Sequence, residues 1–376
     1  MPRIPIPAAF SSDTTRDTLA VFVASRLPIF LLASLFVGFV PVSAGLLPHF
    51  PDAFALWDGG WYFSIAQEGY AWPGSLMEQS NLAFFPLYPF LGKLLGIILG
   101  GNTQLGLLLA SNLSFAVYLY LLHRLVSLDL DNAAALRTVT YVSIFPMSLF
   151  FSASYSEATL LALVTGAFYF ARTGRWRAAV ALGSMASLTR MAGLIVVLPL
   201  LYEYIRQKGV RPSILSLSLI PASTAAYAAY VWHKTGAPTG LMYITSAWDR
   251  APSPLWETAR LAFEGLYQPA KPYDYSIIAM DALIFFAFLL LTALVVWRLP
   301  RSYAVYAVPA FLFATSTTVA GYPLASMSRY LLAVFPCFIA MSIPGKSRLV
   351  HQTLVATFGV FLGIVTIYYF GSFWVE

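Results

Sequence analysis

The chain has 376 residues, of which 59% are hydrophobic and 10% are charged, whereas soluble domains average about 45–50% apolar and about 25% charged residues. This composition excludes a soluble globular protein. The net charge is +6, but the basic residues are scattered between apolar runs and form no patch of the kind that binds nucleic acid. The single cysteine, Cys337, excludes a disulfide framework within the chain and a cysteine-based metal site.

Long unbroken apolar runs predict a polytopic helical membrane protein, because helices satisfy their own backbone polar groups in hydrocarbon. The first run extends from Thr18 past Val40 and is too long for the core of a signal peptide, so it predicts an uncleaved signal anchor. With ten later segments it gives about eleven spans, in one membrane domain that covers residues 1–376. The later segments are 103–124, 138–152, 156–172, 176–189, 191–206, 213–233, 276–298, 303–319, 329–343 and 350–372.

Orientation follows from the connecting segments, because cytoplasmic loops retain Lys and Arg. Fourteen of the 22 basic residues share one side only if segment 84–100 does not cross the membrane. Its prolines and its short length favour an interfacial or re-entrant segment. The amino terminus is then cytoplasmic, and the two long loops, 41–102 and 234–275, are external. Eleven of the 16 acidic residues and seven of the nine tryptophans fall near this outer side, where we expect the chemistry.

The first outer loop contains the string LWDGGWYFSIAQEGY at residues 56–70. From Trp61 it has the pattern of an amphipathic helix that lies flat on the membrane and ends at Gly69. Asp58 stands just before this helix, at the boundary between water and lipid. It is either the N-cap of the helix or a carboxylate that accepts a proton from an attacking hydroxyl.

Two other outer segments also allow two interpretations each. In NLAFFPLYPF, residues 81–90, Asn81 and Tyr88 belong to a rigid interface anchor or contact a sugar or a lipid head group. In the tight turn before 156–172, Ser154 and Glu157 fit an S-x-x-E capping box. Alternatively, the Glu157 carboxylate orients an acceptor.

Two arginines map to the outer ends of apolar segments: Arg190, and Arg329 with its neighbour Tyr330. A charge at membrane depth costs about 2.5–3.5 kcal/mol and indicates function, although snorkelling near an interface produces the same pattern. A guanidinium matches phosphate oxygens, so these arginines are candidates for holding a lipid-linked phosphate. Arg26 lies nearer the middle of a span, and the sequence identifies no partner for it. No HExxH or Walker motif occurs.

The strings LWDGGWYFSIAQEGY, NLAFFPLYPF, IFPMSLFFSASYSEATLLAL, ASLTRMAGLIVVLPLLYEYI and SMSRYLLAVFPCF, in this order over residues 56–338, resemble the PIG-V family of mannosyltransferases. The resemblance implies the GT-C fold, an all-α multi-pass membrane bundle with interfacial helices in the first outer loop. It also implies transfer of a sugar from a polyprenyl-phosphate carrier on the non-cytoplasmic side, with Asp58 as the essential acidic residue. Gly60-Trp61 departs from the eukaryotic histidine-aromatic pair and is similar to prokaryotic relatives.

We therefore expect an inverting hexosyltransferase, foremost a mannosyltransferase, that uses a polyprenyl-phosphate donor and a lipid-linked or surface glycan acceptor. Asp58 is the expected general base, and we expect no cofactor and no metal, because the carrier phosphate is already a competent leaving group. The membrane is the plasma membrane in a prokaryote or the endoplasmic reticulum in a eukaryote. A transporter or lipid flippase, and an inactive scaffold of the same fold, are the alternatives. The expected substrate-binding residues are Arg329, Tyr330, Arg190, Glu157, Tyr155, Trp57, Trp61, Asn81 and Tyr88.

Overall fold

The computed structural model describes residues 12–39, 50–267, 272–319 and 322–375. These residues are mostly helical. The α-helices are α1 Ser12–Phe39, α2 Asp58–Glu68, α3 Leu87–Ile98, α4 Thr103–Val126, α5 Asn132–Ile144, α6 Glu157–Arg172, α7 Trp176–Ser187, α8 Val197–Lys208, α9 Leu219–Thr235, α10 Gly240–Tyr243, α11 Leu255–Gly265, α12 Pro272–Arg298, α13 Arg301–Ala314, α14 Met327–Tyr330, α15 Pro336–Met341 and α16 Arg348–Phe370. Strands β1 Arg250–Pro252 and β2 Thr317–Val319 pair antiparallel.

Short 3-10 helices connect or extend many of these elements. They are Phe50–Phe54, Asn81–Ala83, Pro146–Phe151, Met191–Val196, Pro212–Ser218, Ile244–Trp248, Leu331–Ala333 and Pro344–Lys346. Such turns allow a helix to start or stop inside the bundle while its backbone stays hydrogen-bonded.

Five segments among the described residues are long and apolar enough to cross a membrane, and all five overlap predicted spans. They are Asp13–Gly38, Thr103–Val126, Pro212–Thr235, Ile277–Arg298 and Arg348–Phe370. The remaining predicted spans fold as shorter helices, several of them joined to a 3-10 turn. The all-α membrane architecture is therefore confirmed, whereas the count of about eleven crossings stays a prediction.

Two predicted helices end differently from their apolar runs. Helix α13 stops at Ala314, and residues 317–319 of the predicted span instead form β2, where two threonines and a valine favour an extended backbone. The predicted span 329–343 is broken into α14, a 3-10 turn and α15. Pro336 starts α15 and has no N–H to donate to the preceding turn, which favours a break at this point.

The segment that we predicted not to cross contains α3, which is about 18 Å long at 1.5 Å per residue. It packs against α4 through glycines. A Cβ atom at Gly106 would lie 2.2 Å from the Gly92 carbonyl oxygen and 2.4 Å from the Gly96 nitrogen. The two backbones therefore touch, as in membrane helix pairs built on small residues. Its short length agrees with an interfacial or re-entrant helix.

Helix α6 carries charged residues at both of its ends. At its carboxyl end Arg172 binds Asp129 at 2.5 Å and approaches Glu203 to 3.6 Å, and Asp129 also accepts from Tyr303. The amino end of α6, about 24 Å away, begins at Glu157. Asp129, Arg172 and Glu203 therefore cluster at one end of α6. Which end faces the cytoplasm stays a prediction.

The buried Arg26 has neutral partners. Its guanidinium donates to the carbonyl oxygens of Ser148 at 2.7 Å and Ser143 at 2.5 Å and to the Ser152 hydroxyl, and it lies 4.6 Å from the Phe115 ring centroid. Arg26 thus ties α1 to the 3-10 turn that precedes α6. This contact accounts for a charge inside a spanning helix without a role in chemistry.

Candidate functional site

Helix α2 begins at Asp58 itself. Trp57 is its N-cap, with a positive φ of 48° and no capping side-chain hydrogen bond, so the N-cap interpretation of Asp58 is wrong. The amphipathic pattern places Trp61, Tyr62, Ile65 and Ala66 on one side of α2; Tyr62, Ile65 and Ala66 are buried and Trp61 is half-buried. The helix ends before Gly69, whose φ is 90°. The Asp58 carboxylate is instead in an ion pair, since its Oδ2 lies 2.8 Å from Nη2 of Arg329.

Four charged side chains from distant parts of the chain form one ion-pair chain. Arg329 also reaches Glu157, with Nη1 3.3 Å from Oε1, and Arg190 binds the same oxygen at 2.5 Å. Arg329 is 2% exposed, whereas the Asp58 side chain retains 19% of its surface. Asp58 and Glu157 each occupy the first turn of a helix, where the backbone dipole favours negative charge.

The predicted capping box is wrong, because α6 starts at Glu157 and Ser156 occupies the position before it. The Ser154 hydroxyl accepts a hydrogen bond from Gln104 at 2.7 Å. Glu157 is therefore not the third helical residue but the first, and its carboxylate binds two arginines. One of its oxygens, Oε2, is buried and has no hydrogen-bond partner among the described residues.

Tyr62 and Arg190 extend this network around Ser156. The Tyr62 hydroxyl lies 2.7 Å from Ser156 Oγ, and Arg190 Nη1 lies 3.5 Å from the same oxygen. Burial raises the pKa of Tyr62 well above its ordinary value, so the phenol is neutral at physiological pH. Burial alone would lower the pKa of Arg190, but the Glu157 carboxylate outweighs it and the net shift is upward. Arg190 is therefore a permanent cation.

Three guanidinium groups surround the ring of Tyr330. The Cζ atoms of Arg250, Arg329 and Arg190 lie 5.0, 5.1 and 5.3 Å from its centroid, within the range of cation–π attraction. Arg250 was not among the predicted site residues. It belongs to the second long loop, 234–275, which was predicted to be external, and the pairing of Arg250 with Val319 in the two-stranded sheet holds it at the site.

These groups line a cavity of about 690 Å³. Its charged wall holds Asp58, Glu157, Arg190, Arg250 and Arg329 at the starts of helices and in loops. Further along α6 and α13, and after α14, the lining becomes apolar. This part is lined by Leu160, Leu161, Tyr306, Ala310, Phe313 and Leu332. The cavity therefore has a charged wall and an apolar lining along the helices, which suits an amphipathic ligand.

Most predicted site residues meet in this cavity, including Trp57, Trp61 and Tyr330. Trp61 stacks on Phe84 at 6.1 Å, and Trp248 packs edge-on against both rings. Like Arg250, Trp248 comes from the second outer loop, and sequence reasoning noted it only as one of the tryptophans on the outer side.

Three predicted residues do not line the cavity. Asn81 bonds the backbone of Ala71 and Gly69. Tyr88 is fully buried and donates to the Leu107 carbonyl. Tyr155 donates to the Leu56 carbonyl and supports Arg329 from 5.1 Å. None of the three lines the cavity. Asn81 and Tyr155 hold the loops that carry the site, whereas Tyr88 joins α3 to α4.

Among the described residues no group of three His, Cys, Asp or Glu side chains is placed to hold a metal ion. The carboxylates of Asp58 and Glu157 are each occupied by arginine. The site as folded is therefore a mixed array of acids and guanidinium groups.

No protein-family model and no curated protein sequence matches the chain. Among solved structures the chain is similar to ArnT from Cupriavidus metallidurans bound to undecaprenyl phosphate, with a TM-score of 0.54 and 16% identity over 91% of this chain and 63% of ArnT. The oligosaccharyltransferase of Archaeoglobus fulgidus is more distant, with a TM-score of 0.44 and 13% identity over 94% of this chain and 55% of that one.

The similarity to ArnT establishes the fold, which is a GT-C-type multi-pass helical bundle of the membrane. This confirms the predicted fold class. The chain spans 63% of the length of ArnT, so the likeness concerns the part that the two share. At 16% identity the comparison carries no assignment of individual residues.

Proposed function

We propose that this protein is an integral-membrane glycosyltransferase that takes a hexose from a polyprenyl-phosphate donor. The observation that carries the proposal is the cavity with a charged wall around Asp58 and an apolar continuation along α6 and α13. A donor of this kind has the matching parts, since a phosphate joins a polar sugar to a hydrocarbon chain. The undecaprenyl phosphate bound to ArnT, which shares the fold, supports the same class of donor.

In the proposed reaction Asp58 is the general base. The acceptor hydroxyl attacks the anomeric carbon, its proton passes to the Asp58 carboxylate, and the bond from that carbon to the phosphate oxygen breaks. The polyprenyl phosphate leaves with the bonding electrons, and the configuration at the anomeric carbon inverts. Guanidinium groups stabilise the charge that develops on the phosphate. The exposed part of the Asp58 side chain gives the hydroxyl access to the base.

The finer parts of the proposal rest on the sequence resemblance to the PIG-V mannosyltransferases. They are mannose as the sugar, a lipid-linked or glycan acceptor, and a site on the non-cytoplasmic face. Glu157 and Arg190 are proposed to lie next to the bound donor. Tyr330, whose ring contacts the guanidinium groups of the site, is proposed to lie there too. The charged and apolar lining of the cavity supports a lipid carrier. It does not distinguish one hexose from another.

The test is transfer of radiolabelled mannose from a short-chain polyprenyl-phosphate mannose into membrane lipids. Asp58→Asn is near-isosteric and removes the base, so we expect transfer to fall about 10²–10⁴-fold. Asp52→Asn is the matched control, because Asp52 lies in the same outer loop but does not line the cavity. Equal transfer by wild type and Asp58→Asn would refute the base. Absence of transfer by the wild type from mannosyl and glucosyl donors alike would favour a transporter or a scaffold.

A further inference from the structure

The charges that line the cavity do not cancel. Three arginines and two carboxylates face it among the described residues. The ion pairs account for Arg190 and Arg329, which are held by Glu157 and Asp58. Arg250 has no carboxylate partner among the residues that the structure describes. The cavity therefore has one unit of positive charge that its own acids leave uncompensated.

The geometry of Arg250 leaves its guanidinium available. Its Nη2 donates to the Ser326 hydroxyl at 3.1 Å, and within the described part of the chain this is its single hydrogen-bond acceptor. A guanidinium has five N–H donors in a planar fork, so donors remain for two oxygens of one ligand. The backbone of Arg250 and of the two residues after it is held by the pairing of β1 with β2.

The ligand that this group fits is an anion with an apolar tail. Arg250 lies beside Tyr330 at 5.0 Å, and the chain that follows Tyr330 supplies Leu332 to the apolar part of the cavity. A phosphate held by Arg250 therefore has a hydrocarbon-lined path next to it. Bidentate contact between guanidinium and phosphate is among the strongest hydrogen-bonded pairs in proteins.

We propose that Arg250 is the residue that binds the phosphate of the polyprenyl-phosphate donor and product, while Arg190 and Arg329 are held by the two carboxylates. This inference rests on the proposed function and assigns one of its binding roles to a residue of the second outer loop. The Ser326 hydrogen bond joins Arg250 to the start of α14, which carries Arg329. The residue proposed to bind phosphate is therefore connected through Ser326 to the helix that positions Arg329, the ion-pair partner of Asp58.

The test measures binding of farnesyl phosphate, farnesol and inorganic phosphate to the full chain in lipid nanodiscs by microscale thermophoresis. For wild type we expect farnesyl phosphate to bind much more tightly than either farnesol or inorganic phosphate. Arg250→Gln should weaken farnesyl phosphate at least about tenfold, the scale of one lost charge-assisted hydrogen bond, and leave farnesol unchanged. Arg250→Lys should restore part of the affinity, because it keeps the charge but not the fork.

Arg260→Gln is the matched control, since Arg260 lies in the same loop, is exposed and pairs with Glu257 and Glu264. It should bind like wild type. Unchanged farnesyl phosphate binding by Arg250→Gln would overturn the inference, as would an equal loss for farnesol, which would mark a structural role. Inorganic phosphate binding as tightly as farnesyl phosphate would also overturn it, because the site would then take a free anion. A wild type that binds no farnesyl phosphate would instead refute the donor in the proposed function.

Discussion

The ion pair between Asp58 and Arg329 makes a quantitative prediction about stability. Arg329 is almost fully buried, with Asp58 at 2.8 Å and Glu157 at 3.3 Å. Removing Arg329 by Arg329→Met leaves Asp58 without its partner, whereas Asp58→Asn leaves Arg329 with Glu157. The double variant removes both charges of the pair. A double-mutant cycle therefore isolates the interaction between the two residues.

Coulomb's law at an effective dielectric constant of about 20 gives about 6 kcal/mol for two charges at the Asp58–Arg329 separation. Desolvation of the buried guanidinium offsets much of this attraction, and removing one partner of a buried pair costs about 3–5 kcal/mol. Because Asp58 is partly exposed, we expect about 3 kcal/mol for Arg329→Met and a coupling of about 2 kcal/mol with Asp58→Asn.

The assay is reversible unfolding in mixed micelles with increasing SDS, followed by far-UV circular dichroism, for the wild type, both single variants and the double variant. The exposed pair Glu257–Arg260 provides a control cycle in which the coupling should be far smaller. Strict additivity, with a coupling below about 0.5 kcal/mol, would refute the reasoning, because the two charges would then not stabilise each other. A double variant as stable as wild type would still agree with the reasoning, because the coupling energy measures the interaction and the stability of the double variant alone does not.

Two other contacts also predict measurable losses of stability in the same assay. Arg26→Leu should destabilise the fold by about 1–3 kcal/mol, because the Ser148 carbonyl loses its buried donor; a change near zero would contradict the assignment of Arg26 as a structural link. Gly106→Ala should destabilise by about 1–3 kcal/mol, since its Cβ would meet the Gly92 carbonyl at 2.2 Å. Gly363→Ala, with open space around it, should be neutral or slightly stabilising, and equal losses in both variants would contradict the close α3–α4 contact.

Hydrophobic patterning predicted the parts of the fold that depend on local sequence. The five long apolar segments, the helix at Asp58 and the short α3 all follow from runs and periodicity of apolar residues. Helix α13 stops early for a reason that is only partly local: the residues of β2 favour an extended backbone, but they are held as a strand by pairing with β1. The paired residues Pro252 and Thr317 are 65 positions apart. A local pattern contains no information about that pairing.

The site likewise combines features that local sequence predicts with contacts that depend on distant parts of the chain. Asp58 was identified from its own neighbourhood, yet both capping interpretations failed, because a carboxylate near a helix start satisfies a capping pattern and an ion pair equally well. The fold decides between a cap and an ion pair, because it brings Arg329 to Asp58 and Arg190 to Glu157. Arg250 was missed because one arginine in a long loop has no distinguishing pattern, and only the three-dimensional charge count reveals it.

The order in which the ion-pair chain is completed has a consequence for biogenesis. Synthesis at about 5–20 residues per second delivers Arg329 roughly 15 to 55 seconds after Asp58, since about 270 residues separate them. During that interval the nascent protein holds Asp58 without the guanidinium that pairs with it in the finished bundle. A chain interrupted before α14 lacks Arg329 and leaves the Asp58 carboxylate without its ion-pair partner. Arg329 is thus the last of the four residues to be made, so the array forms only after α14 has been synthesised.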